Sequence, residues 1–282
     1  MSPPDHGRRR QASRTALLSC TAQLYYRMGM FRRLFAAKRR KTPDLPKVPA
    51  DHRVYAIGDI HGRIDLLEDL HRDILADAEA ADATRRTIVY LGDYVDRGLH
   101  SREVVDLLIG QPLAGFETVH LIGNHEEFLL DFAQRLDHAR LWLYNGGETT
   151  LRSYGVEVPE IVRCDDDLAE ARSAFFEALP AHHLAFLNSL VRCHEIGDYF
   201  FAHAGVRPGV PLDRQKPEDL VWIRDEFLES DDDFGKIVVH GHTISRNVEI
   251  RDNRIGIDTG AYSSGVLSCL VLQGRERSLI QT

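Results

Sequence analysis

Five apolar runs punctuate the chain beyond residue 52: "RVYAIGD", "TIVYLGD", "TVHLIGN", "DYFFAHAG" and "KIVVHGH". Each has strand length, and each closes on Gly or Ala beside Asp, Asn or His. Runs without polar alternation mark strands covered on both faces. Between the first two lies "RIDLLEDLHRDILADAEA", in which Ile64, Leu67, Leu70 and Ile74 recur at helical spacing. After the second comes "SREVVDLLIG", with Ser101 placed as an N-cap. "FLLDFAQRL" continues the third run as a helix. Strand, polar bend and helix therefore alternate, which predicts a layered α/β fold with its site outside the carboxyl ends of several strands.

Further along, "AEARSAFFEAL" and "AHHLAFLNSL" read as two helical pieces split by Pro180, and "YNGGE" as a sharp turn before them. They belong to a helical insert over about 127–195 that suits a lid or recognition element. The acidic triplets at 165–167 and 231–233 read as solvated loop.

The bends carry the chemistry. In order they supply Asp59 and His61, Asp93 with Asp96 and Arg97, Asn124 with His125, His203, and His240 with His242. Carboxylate, amide oxygen and imidazole without sulfur suit Mn, Fe or Zn. Glycine at the bends lets backbone approach an ion or phosphate with no Cβ in the way. Two cations held close together need a bridging carboxylate, and Asp93 is central among the bends. Glu126 reads as a helix first-turn acid in preference to a ligand. His71, His138, His182 and His183 lie in helical stretches without a partner motif and read as surface or packing residues.

Charge divides the chain. The net charge of −8 conceals a first segment, residues 1–50, with 12 Lys and Arg against two acids (+10), and a remainder with 23 against 41 (−18). Residues 1–50 read as a basic, disordered arm and Pro-rich linker, and 51–282 as the catalytic domain. The arm could touch an anionic membrane weakly through "FRRLFAAKRRK". No specific nucleic-acid contact is expected. The apolar stretch before Cys20 is too short for a secretory signal, and no membrane-length apolar run occurs. Four cysteines without CxxC spacing point to free thiols of a reducing cytoplasm.

The ordered set "GDIHG", "GDYVDRG", "GNHE", "HAG" and "HGH" resembles the metallophosphoesterase (calcineurin-like) superfamily, specifically its bacterial and phage serine/threonine phosphoprotein phosphatase branch. The resemblance spans about residues 53–262. It implies a four-layer α-β-β-α sandwich with a helical insert. It further implies two divalent metal ions, Mn(2+) first with Fe or Zn as alternatives. Asp59, His61 and Asp93 would hold one ion, and Asp93, Asn124, His203 and His242 the other. A metal-bridging hydroxide would attack phosphorus in line, His125 oriented by Asp96 would protonate the leaving group, and Arg97 and Arg224 would bind the phosphoryl oxygens. The implied substrates are phosphoserine and phosphothreonine in phosphoproteins or phosphopeptides. The alternative is a dinucleoside polyphosphate (diadenosine tetraphosphate) hydrolase, which by its resemblance tends to carry Asp at the position of Glu126. A non-catalytic scaffold is disfavoured because every metal position is filled.

Overall fold

Two five-stranded sheets form the centre of the computed structural model, which describes residues 45–111, 113–157 and 164–282. The first contains β1 (His52–Ile57), β2 (Arg85–Tyr90), β3 (Glu117–His120), β9 (Ser268–Gln273) and β10 (Glu276–Gln281), in the order β10-β9-β1-β2-β3. The second contains β4 (Cys193–Ile196), β5 (Tyr199–Ala202), β6 (Ile237–His240), β7 (Glu249–Ile250) and β8 (Arg254–Gly256), in the order β4-β5-β6-β8-β7. The motif-bearing strands β1, β2 and β3 run parallel, as do β5, β6 and β8. All six therefore end on the same side of their sheets, where their bends can meet.

Strand period two explains why the apolar runs are continuous. Val54 and Ala56 of β1 face Tyr199 and Phe201 of β5 in the seam between the sheets, with Val89, Val239 and Leu270. Tyr55 and Ile57 point the other way, into a core shared with α1 (Ile64–Ala80), α2 (Ser101–Ile109) and α3 (Asn124–Gln134). On the second sheet Phe200, Ala202 and Val238 pack instead under Leu220, Val221 and Phe227 of two short helices, Pro217–Trp222 and Asp225–Leu228. Helix, sheet, sheet, helix is thus the layer order. Each buried Val, Ile or Phe contributes roughly 1.5–3 kcal/mol on area alone, so both faces of each sheet are needed.

Several local expectations change. Ser101 is not an N-cap: α2 has His100 at that position, and the Ser101 hydroxyl accepts a hydrogen bond from the Asp96 amide at 3.0 Å. The triplet Asp165–Asp167 is the first turn of a helix, Asp165–Ala178, where acidic side chains oppose the helix dipole. Up to residue 44 the predicted arm lies outside the described residues, whereas residues 45–50, expected as linker, lie on the domain. Val48 is buried in the inter-sheet core, and the Lys47 amide donates to Asp198 at 2.9 Å. Among the described residues no helix is long and apolar enough to cross a membrane.

Candidate active site

The bends after β1, β2, β5 and β6 and the start of α3 converge on Asp93. Two tight clusters share its carboxylate, one with His61 and His125 and the other with His203 and His242, all of them buried. His61 Nε2 and His203 Nε2 each lie 3.4 Å from an Asp93 oxygen. Asn124 Oδ1 lies 3.0 Å from His203 Nε2 and 2.8 Å from His242 Nδ1. Asp59 joins neither tight cluster. Its Oδ2 accepts the His242 amide at 3.0 Å, while its buried Oδ1 has no partner.

Backbone strain is concentrated here. Six described non-glycine residues have positive φ, and five of them are His61, Asp93, Asp96, Arg97 and His242. Such conformations cost about 1–3 kcal/mol each and persist only where the surroundings enforce them. Glycine makes the crowding feasible: a Cβ at Gly123 would lie 2.1 Å from Asp93 Oδ1, and one at Gly241 2.0 Å from Asp59 Oδ1.

The electrostatics follow from burial. Burial alone would raise the Asp93 carboxyl, but His203, His125, His61 and His242 around it outweigh that and hold it below the usual carboxylate range. Asp59 goes the opposite way, raised first by burial and then by Asp258 and Asp93. Burial pushes the His61 imidazole down to about 3 and also lowers His203 and His242. His61 Nδ1 faces the Val95 carbonyl and His203 Nδ1 the Leu91 carbonyl, each at 2.8 Å. Each Nδ1 must therefore carry the hydrogen, and each Nε2 turns a lone pair toward Asp93. Lone pairs facing carboxylate oxygens at 3.4 Å, away from water, repel unless positive charge lies between them. The donor set, with the orphaned Asp59 oxygen, fits divalent cations.

Beside the clusters, His125 Nδ1 binds Asp96 Oδ2 at 2.6 Å. Burial would lower this imidazole, but Asp93 and Asp96 override it and raise its pKa. Arg97 Nη2 lies 3.2 Å from His125 Nε2, and its guanidinium covers the Tyr262 ring at 4.7 Å. Arg224 is exposed, with Nη1 3.4 Å from the His242 carbonyl and 3.3 Å from Thr243 Oγ1. His240 packs edge-on against Phe227 behind the clusters and joins neither of them.

Glu126 is more than a first-turn acid. It closes a capping box on Gly123 N at 2.9 Å and also accepts Asp93 N at 2.8 Å and Tyr94 N at 2.7 Å. It thereby clamps the bend that carries Asp93. Sequence reasoning also passed over Asp258 and Tyr262, although "RIGIDTGAY" repeats the grammar of an apolar run, glycine and aspartate. Burial and the carboxylate of Asp93 push Asp258 up to about 6, against the amide of Gly260. Trp142 and Thr150, which both touch Asp96, had no local signal at all.

The family model for calcineurin-like phosphoesterases matches residues 52–262. The chain belongs to that family and is a metallophosphoesterase, a hydrolase whose family implies divalent metals. It is similar to Serine/threonine-protein phosphatase 2 of Escherichia coli (strain K12), 30% identical over 234 residues covering 79% of this chain and 94% of that one. It is also similar to the Bis(5'-nucleosyl)-tetraphosphatase PrpE [asymmetrical] of Halalkalibacterium halodurans, 25% identical over 76% of this chain and 87% of that one. Among solved structures, one described as a candidate diadenosine tetraphosphatase superposes with TM-score 0.57 at 23% identity, covering 84% of this chain and 98% of that chain.

Proposed function

We propose that this metallophosphoesterase removes phosphate from phosphoserine and phosphothreonine in proteins. One observation carries the phosphoester chemistry: the His125 ring and the Arg97 fork face each other at 3.2 Å beside the Asp93 clusters. Once His125 is charged, Nε2–H and the guanidinium are two donors without an acceptor, and a phosphoester oxygen between them would take both. Asp59, His61, Asp93, Asn124, His203 and His242 would hold the two divalent ions, for which Mn(2+) is the proposed occupant and Fe or Zn the alternatives. Bound there, such ions supply the Lewis acidity that makes water a nucleophile near neutral pH. The chain's own residues do the rest. His125 Nε2 delivers a proton to the departing alkoxide while Asp96 keeps the ring charged and aligned. Arg97 and Arg224 bind phosphoryl oxygens as forked donors.

A cavity of about 600 Å³ opens beside Trp222, walled by Phe128, Leu130 and Leu141 and by charges of both signs, among them Glu127, Arg135 and Arg192. Mixed walls suit a peptide better than the further phosphates of a dinucleotide, and the similarity to the E. coli phosphatase supports the same choice. The second reading, hydrolysis of diadenosine tetraphosphate, is supported by the tetraphosphatase relative. Phosphoserine, phosphothreonine and phosphotyrosine peptides should be compared with diadenosine tetraphosphate on one preparation. The phosphoserine and phosphothreonine peptides are expected to give the highest kcat/KM, and a clear advantage for the dinucleotide would overturn the proposal. We further propose a cytoplasmic location, supported by the free thiols of Cys164, Cys193 and Cys269.

A further inference from the structure

Asp96 is fully buried and holds more than His125. Its Oδ2 accepts both His125 Nδ1 at 2.6 Å and Trp142 Nε1 at 2.8 Å. Its Oδ1 accepts the Thr150 hydroxyl at 2.6 Å, and its own amide donates back to Thr150 Oγ1 at 2.8 Å. Trp142 and Thr150 flank a π-helical turn, Leu143–Gly147, in the expected insert. That turn is pressed against the site from behind. Gly146 has φ of 107°, its carbonyl accepts the Arg97 amide at 3.2 Å, and a Cβ there would meet Arg97 N at 2.7 Å. A Cβ on Gly147 would lie 2.5 Å from the Trp142 ring. The glycine pair in "YNGGE" is what lets one turn touch Arg97 on one side and Trp142 on the other.

We infer that Trp142 and Thr150 are positioning residues for proton delivery, holding the Asp96 carboxylate in the plane that aims His125 Nε2 at the leaving group. This rests on the reading of His125 as the proton donor. The plain alternative is that Trp142 is core: it is fully buried, with Phe132 at 4.9 Å and Phe175 at 6.4 Å between ring centroids. A purely apolar role leaves no use for its indole N–H, yet that N–H ends on the carboxylate oxygen that His125 also uses. Asp96 has left-handed φ of 70°, so its backbone does not hold itself in place. Without these donors the carboxylate is free to rotate about χ2, and the imidazole turns with it.

The two roles separate by leaving group. Trp142→Phe keeps the aromatic packing and deletes the donor, and Thr150→Val deletes the hydroxyl while Thr150→Ser restores it. Each is assayed in the full chain with a phosphoserine peptide, whose alkoxide needs a proton to leave, and with 2,4-dinitrophenyl phosphate, whose phenolate does not. Metal content and Tm are measured alongside. The expected result for Trp142→Phe and Thr150→Val is a fall of about 10–100-fold in kcat on the peptide, the size of one lost hydrogen bond to a charged group. The loss on the dinitrophenyl ester is expected to stay below about threefold, with Thr150→Ser near wild type. Equal losses on both esters, or no loss, overturn the inference. His125→Ala serves as the reference. If it shows the leaving-group dependence and Trp142→Phe does not, this inference alone falls. If His125→Ala loses equally on both esters, the proton-donor reading fails and takes this inference with it.

Discussion

The strand-end bends and the segment from Leu141 to Tyr154 build one site by opposite means. Each bend places its own chemistry: a strand stops, and a polar residue in the turn that follows faces the shared centre. The segment offers no such grammar, and its contribution consists of an indole, a hydroxyl and a glycine carbonyl delivered to groups 46 to 54 residues earlier in the chain. The bends carry the groups that would touch metal and phosphate. The segment carries groups that hold those residues in place from the side away from metal and phosphate. A site of this kind therefore has a local part and a borrowed part, and the two should fail differently when damaged.

The largest effect belongs to the local part. Asp93 is shared by both clusters, so Asp93→Asn removes the charge they have in common. Metal content should fall for both ions together, and turnover by more than about 100-fold, beyond what losing an outer partner costs. EDTA should abolish activity in the unaltered chain and Mn(2+) should restore it. Normal turnover by Asp93→Asn, or full activity after chelation, would remove the basis for calling the bends a metal centre.

Glu126 lies between the two parts, because it begins α3 yet reaches across to the Asp93 bend. With four backbone N–H groups on its carboxylate, including Val95 N at 3.3 Å, it shapes that bend without facing the clusters itself. Glu126→Gln keeps the size of the side chain but turns an NH2 toward two of those N–H donors, which loosens the clamp on the bend. Metal affinity should weaken roughly 10–100-fold, the usual cost of an outer partner, while turnover at saturating metal stays close to wild type. A collapse of turnover that added metal cannot rescue would place Glu126 in the chemistry itself.

This division also explains what could be read in advance. The alternation of strand, bend and helix and the polar bends that meet around Asp93 were legible because each rests on a pattern within a dozen residues, and the four layers were implied by the resemblance that the ordered bends carry. Ser101 was misread because a serine before a helix looks like a cap, and only the folded chain shows its hydroxyl turned to Asp96. Asp165–Asp167 looked like solvated loop because charge is visible in a sequence and its placement over a helix start is not. Trp142 and Thr150 were invisible for a deeper reason. A Trp among apolar neighbours has the same signature whether its N–H ends in nothing or on a buried carboxylate. Asp258 and Tyr262 were legible and overlooked, since β8 is only three residues long and ends the same way as the other runs.

The borrowed part is best probed by backbone. Gly146→Ala puts a Cβ 2.7 Å from Arg97 N at a φ of 107°, so either the turn or Arg97 must shift. If Arg97 binds phosphate as proposed, a displacement near 1 Å there should lower kcat/KM by up to about 100-fold. Gly209→Ala is the matched control, with φ of 73° and nothing within 4 Å of the added Cβ. It should cost about 1–2 kcal/mol of stability for the left-handed backbone and leave kcat/KM unchanged. If both variants behave alike, strain alone explains Gly146, and the turn has no special relation to Arg97.

The smallest effect on catalysis should come from the opposite ends of the strands. Lys47 and Val48 fasten residues 45–50 there: Lys47 N donates to Asp198 Oδ2 and Asp198 N to the Lys47 carbonyl, both at 2.9 Å, while Val48 N reaches the Gly274 carbonyl at 2.9 Å. This anchor lies at the start of β1 and at the turns joining β4 to β5 and β9 to β10, whereas the clusters lie at the carboxyl ends of β1, β2, β5 and β6. Two shortened chains separate stability from chemistry. One starting at Leu45 keeps every contact among the described residues and should match the full chain in Tm and in kcat on p-nitrophenyl phosphate. One starting at Asp51 loses the Val48 side chain, about 1.5–3 kcal/mol by burial, and hydrogen bonds worth about 1 kcal/mol each. Its Tm should drop while kcat, measured well below that Tm, stays the same. A fall in kcat for the Leu45 chain would mean that residues 1–44 act on the site. A fall for the Asp51 chain alone would mean that strain at the start of β1 travels the length of the sheet to Asp59, and the separation drawn between anchor and site would not stand.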